Sequence, residues 1–142
     1  VFGIFLAQKA ARKPLTIVGH GKQTRDFIHV DDLINALIKI AKSSLSNKIF
    51  NLGSGKETSV NKIADLFGGE KVFVPERPGE PDRSCADISK IKNNIDWEPK
   101  ITIEEGVKRL LKNINYWKNA PVWTPKTIEF ATKEWFKILS KN

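Results

Sequence analysis

The 142-residue sequence has no methionine, one cysteine, one tyrosine and two histidines. Each scarcity excludes something. A single thiol, Cys85, cannot close an internal disulfide; it fits a reducing compartment such as the cytoplasm, and its expected place is a small buried apolar position. His20 and His29 stand nine residues apart with no neighbouring His or Cys, so no metal-ligand spacing is present. No run approaches the roughly 18 apolar residues of a membrane span, and no membrane contact is expected. The apolar start, Val1-Phe2-Gly3-Ile4-Phe5-Leu6, lacks a basic leader and a clean cleavage site, so it reads as a helix entering a core rather than a signal peptide. Without an initiator methionine, the chain is expected to begin in mid-protein.

What is present is an ordinary globular composition, 40% apolar and 28% charged, with a net charge of +8. The lysines are spread over every segment, several of them opposite apolar stripes at helical spacing. That distribution describes solvated faces, and nucleic-acid binding is not expected.

Turn residues punctuate the chain at Pro14, Gly19 to Gly21, Gly53 to Gly55, Gly68-Gly69, Arg77 to Pro81, Pro99 and Pro121. Between them lie short elements in alternating α/β order. Helices are predicted over Phe2 to Arg12, from a cap at Asp31 or Asp32 to Lys42, from a cap at Ser59 through Phe67, and near Ile88 to Asn94. A further helix, Ile103 to Trp117, opens on a capping box of Thr102 and Glu105. The last has Thr124 as cap and Pro125 at its first position, with a stripe of Ile128, Ala131, Trp135, Ile138 and Leu139. Strands are predicted over Leu15 to Val18, Asp26 to Val30, Lys48 to Leu52 and Val72 to Val74. The helix after Asp31 carries Leu33, Ile34, Ala36, Leu37, Ile38, Ile40 and Ala41, and is predicted to be buried on more than one side.

Several site motifs fail. Gly53-Ser54-Gly55-Lys56 lacks the earlier glycine of a P-loop, where Phe50 stands, and the hydroxyl after its lysine, where Glu57 stands. Gly19 and Gly21 are followed by Thr24 instead of the third glycine of a dinucleotide fingerprint. Glu104 and Glu105 favour a helix dipole and suggest no catalytic pair, and no Gly-x-Ser-x-Gly elbow occurs. Arg25 and Arg77 stand apart, each in a glycine- or proline-rich turn. Two guanidiniums converging on one site suit a diphosphate, since each can fork onto phosphate oxygens.

From these residues a resemblance becomes specific. Gly19-x-Gly21-x-Gln23-Thr24-Arg25-Asp26-Phe27-Ile28-His29-Val30-Asp31-Asp32 is similar to a signature in the second half of extended short-chain dehydrogenases, the NAD-dependent epimerases and dehydratases of sugar nucleotides. Further landmarks follow in the family's order: Asn51-Leu52-Gly53-Ser54-Gly55, Arg77-Pro78-Gly79-Glu80, Asp87-Ile88-Ser89-Lys90 and Trp97-Glu98-Pro99.

The resemblance implies an α/β substrate-binding portion, residues 1–120, with short strands among helices and without the complete Rossmann sheet. A C-terminal helical tail, residues 121–142, follows. It implies that Arg25 and Arg77 grip the diphosphate, that Glu80 contacts the ribose, and that Thr16, Ile17 and Val18 line the base largely through backbone groups. It also implies NAD as cofactor of the intact enzyme, a missing N-terminal Rossmann half against which Lys48 to Leu52 and the apolar helix pack, and a homodimer. The family's chemistry needs a tyrosine with a lysine four residues later. Here Tyr116 is followed at that distance by Ala120, so no catalytic residue is assigned and the chain alone is expected to be inactive. A UDP-hexose epimerase is the first expectation. A sugar-nucleotide 4,6-dehydratase and a basic scaffold module are the alternatives.

Overall fold

The computed structural model describes residues 1–139. In chain order the elements are α1 (Phe2–Ala10), β1 (Leu15–Val18), β2 (Thr24–Asp26), α2 (Val30–Lys42), β3 (Glu57–Ser59), α3 (Val60–Phe67), β4 (Lys71–Val74), α4 (Ser89–Asn94) and α5 (Ile103–Lys112). A 3₁₀ turn (Ile114–Trp117) and α6 (Pro125–Leu139) follow. The strands form two two-stranded sheets, β1 with β4 and β2 with β3, so the α/β fold has short strands and no complete Rossmann sheet. No helix of the described residues is long and apolar enough to cross a membrane.

The chain divides into two compact units: residues 1–23, 59–82 and 107–142, and residues 24–58 and 83–106. The first is built on the parallel pair β1–β4, in register from Leu15 opposite Lys71 to Val18 opposite Val74. Phe5 and Leu6 of α1, Leu15 and Ile17 of β1, and Ile63 and Phe67 of α3 are fully buried with it. Phe5 meets Phe67 edge-on, their centroids 5.7 Å apart, the arrangement aromatic quadrupoles favour. Gln8 is buried as well, and its amide is satisfied: Nε2 donates to Thr16 Oγ1 at 2.8 Å and to the Trp123 carbonyl at 2.8 Å, while Oε1 accepts from Thr16 N at 3.1 Å. A buried amide without those partners would destabilise the unit, so α1, β1 and the segment before α6 are tied together by necessity.

The second unit centres on Ala36, Ile91 and Trp97, with Ile28, Ile40, Phe50, Leu52, Ile88 and Ile95 packed around them. The Trp97 indole donates to the Asp32 carbonyl at 3.2 Å, and the Asp32 carboxylate accepts from Ile101 N at 2.9 Å. Both bonds clamp the loop after α4 onto α2.

Several expectations are corrected. The Asp26–Val30 strand is instead Thr24–Asp26, and Lys48–Leu52 is no strand: β2 pairs with Glu57–Ser59, leaving Phe50 and Leu52 to serve the core from an irregular segment. Helix α2 is capped by His29, whose side chain accepts from Asp31 N, rather than by Asp31 or Asp32. It is not buried on more than one side. Ala36 and Asp32 are buried, whereas Ile34, Leu37 and Ile38 are exposed, Leu37 to 53%. The predicted Ile103–Trp117 helix ends at Lys112 and gives way to the 3₁₀ turn after Asn113. Its capping residue behaves as expected, Thr102 Oγ1 accepting from Glu105 N at 3.2 Å. On α6 the inward row is Ile128, Thr132 and Phe136, while Ala131, Trp135, Ile138 and Leu139 are exposed, because the helix covers its unit along one edge only. Cys85 is exposed, not buried.

Candidate functional site

Parallel pairing decides the first half of the site. With Val18 opposite Val74, the chain leaves β1 and β4 at the same end, and Gly19 N extends the ladder by donating to the Val74 carbonyl at 2.9 Å. The Gly19–Gln23 turn and the Glu76–Glu80 turn therefore lie side by side beyond the carboxyl ends of two parallel strands, the place where open α/β sheets take ligands. A Cβ on Gly19 would lie 3.3 Å from Glu76. The N-terminus of α3 holds the first turn: Asn61 N donates to the Gly21 carbonyl at 2.8 Å, its Nδ2 to the His20 carbonyl at 3.0 Å, and Val60 N to the Gln23 carbonyl at 3.1 Å.

The expected substrate residues of this unit are thereby located. Thr16 and Ile17 are buried, and the Thr16 N–H and hydroxyl are engaged by Gln8. The Val18 carbonyl accepts from Gln23 Nε2 at 2.7 Å. Arg77 is half-buried; its guanidinium lies 5.7 Å from the Trp135 ring centroid, and its Nε is buried without a hydrogen-bond partner. Glu80 closes the turn, its N–H directed at the Arg77 carbonyl at 3.4 Å. The fold also gathers side chains that sequence spacing did not relate. A ligand atom from each of His20, Glu76 and Asp82 lies within 4.8 Å of the others, all three exposed.

Arg25 belongs to the second unit, on β2, where its Nη1 donates to the Thr24 carbonyl at 2.8 Å. Beside it Asp26 is a structural hub that no sequence motif marks. Its carboxylate accepts from Ser54 N and Oγ at 2.6 Å each, from Gly55 N at 2.9 Å and from Ala86 N at 3.2 Å. Gly53 has no room for a side chain, since a Cβ would lie 2.5 Å from Asp26 and 2.6 Å from Ala86. No local spacing links Asp26 to the Gly53–Gly55 turn; only the fold reveals the partner.

Glu57 on β3 accepts from Thr24 Oγ1 at 2.9 Å and from the Nε and Nη2 groups on one edge of the Arg83 guanidinium. The Arg83 hydrogen bond, and then that of Thr24, hold the Glu57 carboxyl below its usual pKa. A carboxyl whose folded pKa is lowered stabilises the fold fully above its unfolded value, about 4.3, and that contribution is lost as pH falls through the folded value. Glu57→Gln is therefore expected to flatten the acid limb of the stability–pH curve below about pH 4, measured by urea melts. Coincident wild-type and variant slopes there would mean that the pairing is absent in solution. Cys85 nearby is no activated nucleophile: desolvation first, and then the Asp26 and Glu57 carboxylates, push its thiol up.

The comparisons agree with this geometry. The family described as GDP-mannose 4,6 dehydratase matches residues 3–110. The chain belongs to the extended short-chain dehydrogenases, the family of sugar-nucleotide epimerases and dehydratases. It is 37% identical over 125 residues to a putative UDP-glucose 4-epimerase of Methanocaldococcus jannaschii, covering 84% of this chain and 39% of that one. With UDP-glucuronic acid decarboxylase 1 of Xenopus tropicalis it shares 37% identity over 80% of this chain and 28% of the relative. Among solved structures, UDP-glucuronic acid 4-epimerase of Bacillus cereus, in complex with UDP-glucuronic acid and NAD, superimposes with a TM-score of 0.73 at 28% identity. That match covers 80% of this chain and 38% of the epimerase. UDP-glucose 4-epimerase of Thermotoga maritima, with UDP-glucose, gives a TM-score of 0.72 at 32% identity, with 80% and 38% covered. The chain thus spans less than two-fifths of the length of these family members.

Both glycine turns are closely packed: a Cβ on Gly21 would meet Asn61 and one on Gly19 would meet Glu76, while those on Gly53 and Gly55 would meet Asp26, Ala86 and Ile88. Tyr116, on the 3₁₀ turn, is 86% exposed and meets Trp117 edge-on with centroids 6.1 Å apart.

Proposed function

We propose that residues 1–120 bind the nucleotide diphosphate of a sugar-nucleotide substrate, as the C-terminal part of a longer NAD-dependent epimerase whose first-choice substrate is a UDP-hexose. Residues 121–142 would be a helical tail added to that portion. The observation that supports this reading best is the parallel β1–β4 pair, with the Gly19 and Arg77 turns side by side at its carboxyl end. Arg77 and Arg25 would each offer phosphate oxygens paired N–H···O bonds, neutralising charge and helping to fix the sugar's position. Glu80 would accept from a ribose hydroxyl. With Thr16 and Val18 already engaged, recognition of the base would fall to the remaining backbone groups of residues 16–18. UDP is favoured because UDP-sugars recur in the names of the relatives. NAD and the tyrosine–lysine acid/base pair would be supplied by the part of the longer enzyme that this chain does not match. The chain alone would bind without turnover, and the whole enzyme would be a cytoplasmic homodimer.

Calorimetric titration with UDP-glucose, UDP-glucuronate and dTDP-glucose tests this. Arg25→Ala and Arg77→Ala are each expected to weaken the preferred ligand by about 1.5–3 kcal/mol, some 10- to 100-fold, as befits a charge-assisted contact. A basic scaffold would instead bind any polyanion, with affinity falling steeply as salt rises. Unchanged affinity in both variants would refute the arginine assignment.

A further inference from the structure

The tail helix α6 lies outside the region matched by the family, yet it engages the turn to which substrate binding is assigned. Three contacts carry this, all within the first unit. The Arg77 guanidinium lies over the Trp135 ring at 5.7 Å from its centroid. The Trp135 indole N–H donates to the Pro78 carbonyl at 3.0 Å. Leu139 Cδ1 is 3.5 Å from where a Cβ on Gly79 would stand, at a residue with φ of +76°. The helix is itself anchored: Thr124 Oγ1 accepts from Thr127 N at 3.3 Å, Gln8 donates to the Trp123 carbonyl, and Ile128 is buried.

We propose that Trp135 is a positioning residue for Arg77, with α6 acting as a clamp that sets the Arg77–Glu80 turn for diphosphate binding. This rests on the reading of Arg77 as a phosphate ligand. A free arginine side chain must give up about 2 kcal/mol of rotamer freedom to hold one geometry. An aromatic ring beneath the guanidinium removes part of that freedom beforehand, and it leaves the in-plane N–H groups directed outward for bidentate contact. The buried Arg77 Nε has no hydrogen-bond partner among the described residues, and the ring lies over the guanidinium. The indole N–H completes the clamp by fixing the backbone on the other side of the same side chain. Trp135 is 42% exposed, so its removal leaves little buried void.

The test uses the full chain with Trp135→Leu, Trp135→Phe, Arg77→Ala and the Arg77→Ala/Trp135→Leu double variant. UDP-glucose affinity is measured by calorimetry and the Arg77 Hε resonance by NMR. In the wild type, Hε should be shifted upfield by the ring current relative to other arginines. Trp135→Leu should abolish that shift and weaken UDP-glucose by about 10-fold, while Trp135→Phe, keeping a ring, should lose no more than about 3-fold. In the Arg77→Ala background, Trp135→Leu should have no further effect, a result that general loosening of the fold would not give. An Arg77 Hε at an ordinary shift, or undiminished affinity in Trp135→Leu, would overturn the clamp. If the wild-type chain binds no UDP-glucose, the substrate reading fails for the isolated chain. The resonance then decides the clamp by itself: a shift lost in Trp135→Leu supports it, and no shift in the wild type refutes it.

Discussion

Replacing Asp26 with alanine is expected to cost about 3–4 kcal/mol of stability. The carboxylate collects four N–H and O–H donors, Ser54 N and Oγ, Gly55 N and Ala86 N, from two chain segments far apart in sequence, besides the weak Cys85 thiol donor at 3.9 Å. Hydrogen bonds to a charged acceptor contribute about 1.5–3 kcal/mol each, but donors sharing one carboxylate do not add independently, so the total lies well below the sum. Alanine also leaves three backbone N–H groups with no acceptor, in a turn where Gly53 is pressed against Asp26 and Ala86. Asp26→Asn keeps one acceptor oxygen and is expected to lose about half as much. Thermal melts should show a drop of roughly 6–14 °C for alanine in a chain of this size. A fall of less than about 1 kcal/mol would mean that these hydrogen bonds are dispensable. Because Arg25 precedes Asp26 on β2, the same variant should also weaken any ligand that depends on Arg25.

Gly21→Ala is expected to destabilise the first unit by about 2–3 kcal/mol, for two separable reasons. Its φ of +71° lies in the left-handed region, which costs a residue bearing a Cβ about 1–2 kcal/mol. The added methyl would also stand 2.3 Å from Asn61 Oδ1, on a side chain fixed by its own bond to the His20 carbonyl. Displacing Asn61 gives up roughly another 1 kcal/mol. A double-mutant cycle separates the two. Asn61→Ala removes the collision, so Gly21→Ala/Asn61→Ala should be about as stable as Gly21→Ala alone. Additive losses would show that Asn61 does not press on the turn, and that the φ penalty is the whole effect.

Much was legible in advance wherever one residue type is almost compelled. Ser59, Thr102 and Thr124 were read as caps because a short hydroxyl before an apolar run satisfies the first helical N–H groups, and each accepts the expected bond. The Gly19–Gly21 turn and the Arg77–Glu80 turn could be marked, since such residues permit sharp backbone reversal. What went wrong were strand bounds and burial. Ile28 and Phe50 carry β-type side chains, yet they pack into the second core from irregular backbone, because a two-stranded sheet ends where its partner ends. Ile34, Leu37 and Ile38 have the composition of a buried helix, but about half of each side chain stays exposed. The Ile128–Leu139 stripe failed for a related reason. Helical spacing offers two adjacent rows, and packing against one edge of the unit selected Ile128, Thr132 and Phe136.

The sequence by itself determined the family, the α/β class, the turn positions and the helix starts at Ser59, Thr102 and Thr124, because these depend on neighbours within a few residues. Only the tertiary structure decided that β1 and β4 run parallel in register, that Asp26 is a hub, that Glu57 meets Arg83, and that α6 reaches back to Arg77. Those contacts join residues 26 to 60 positions apart. Nothing in local propensity specifies such partners. They are chosen when burying the apolar cores brings particular polar groups together and each must then find a donor or an acceptor.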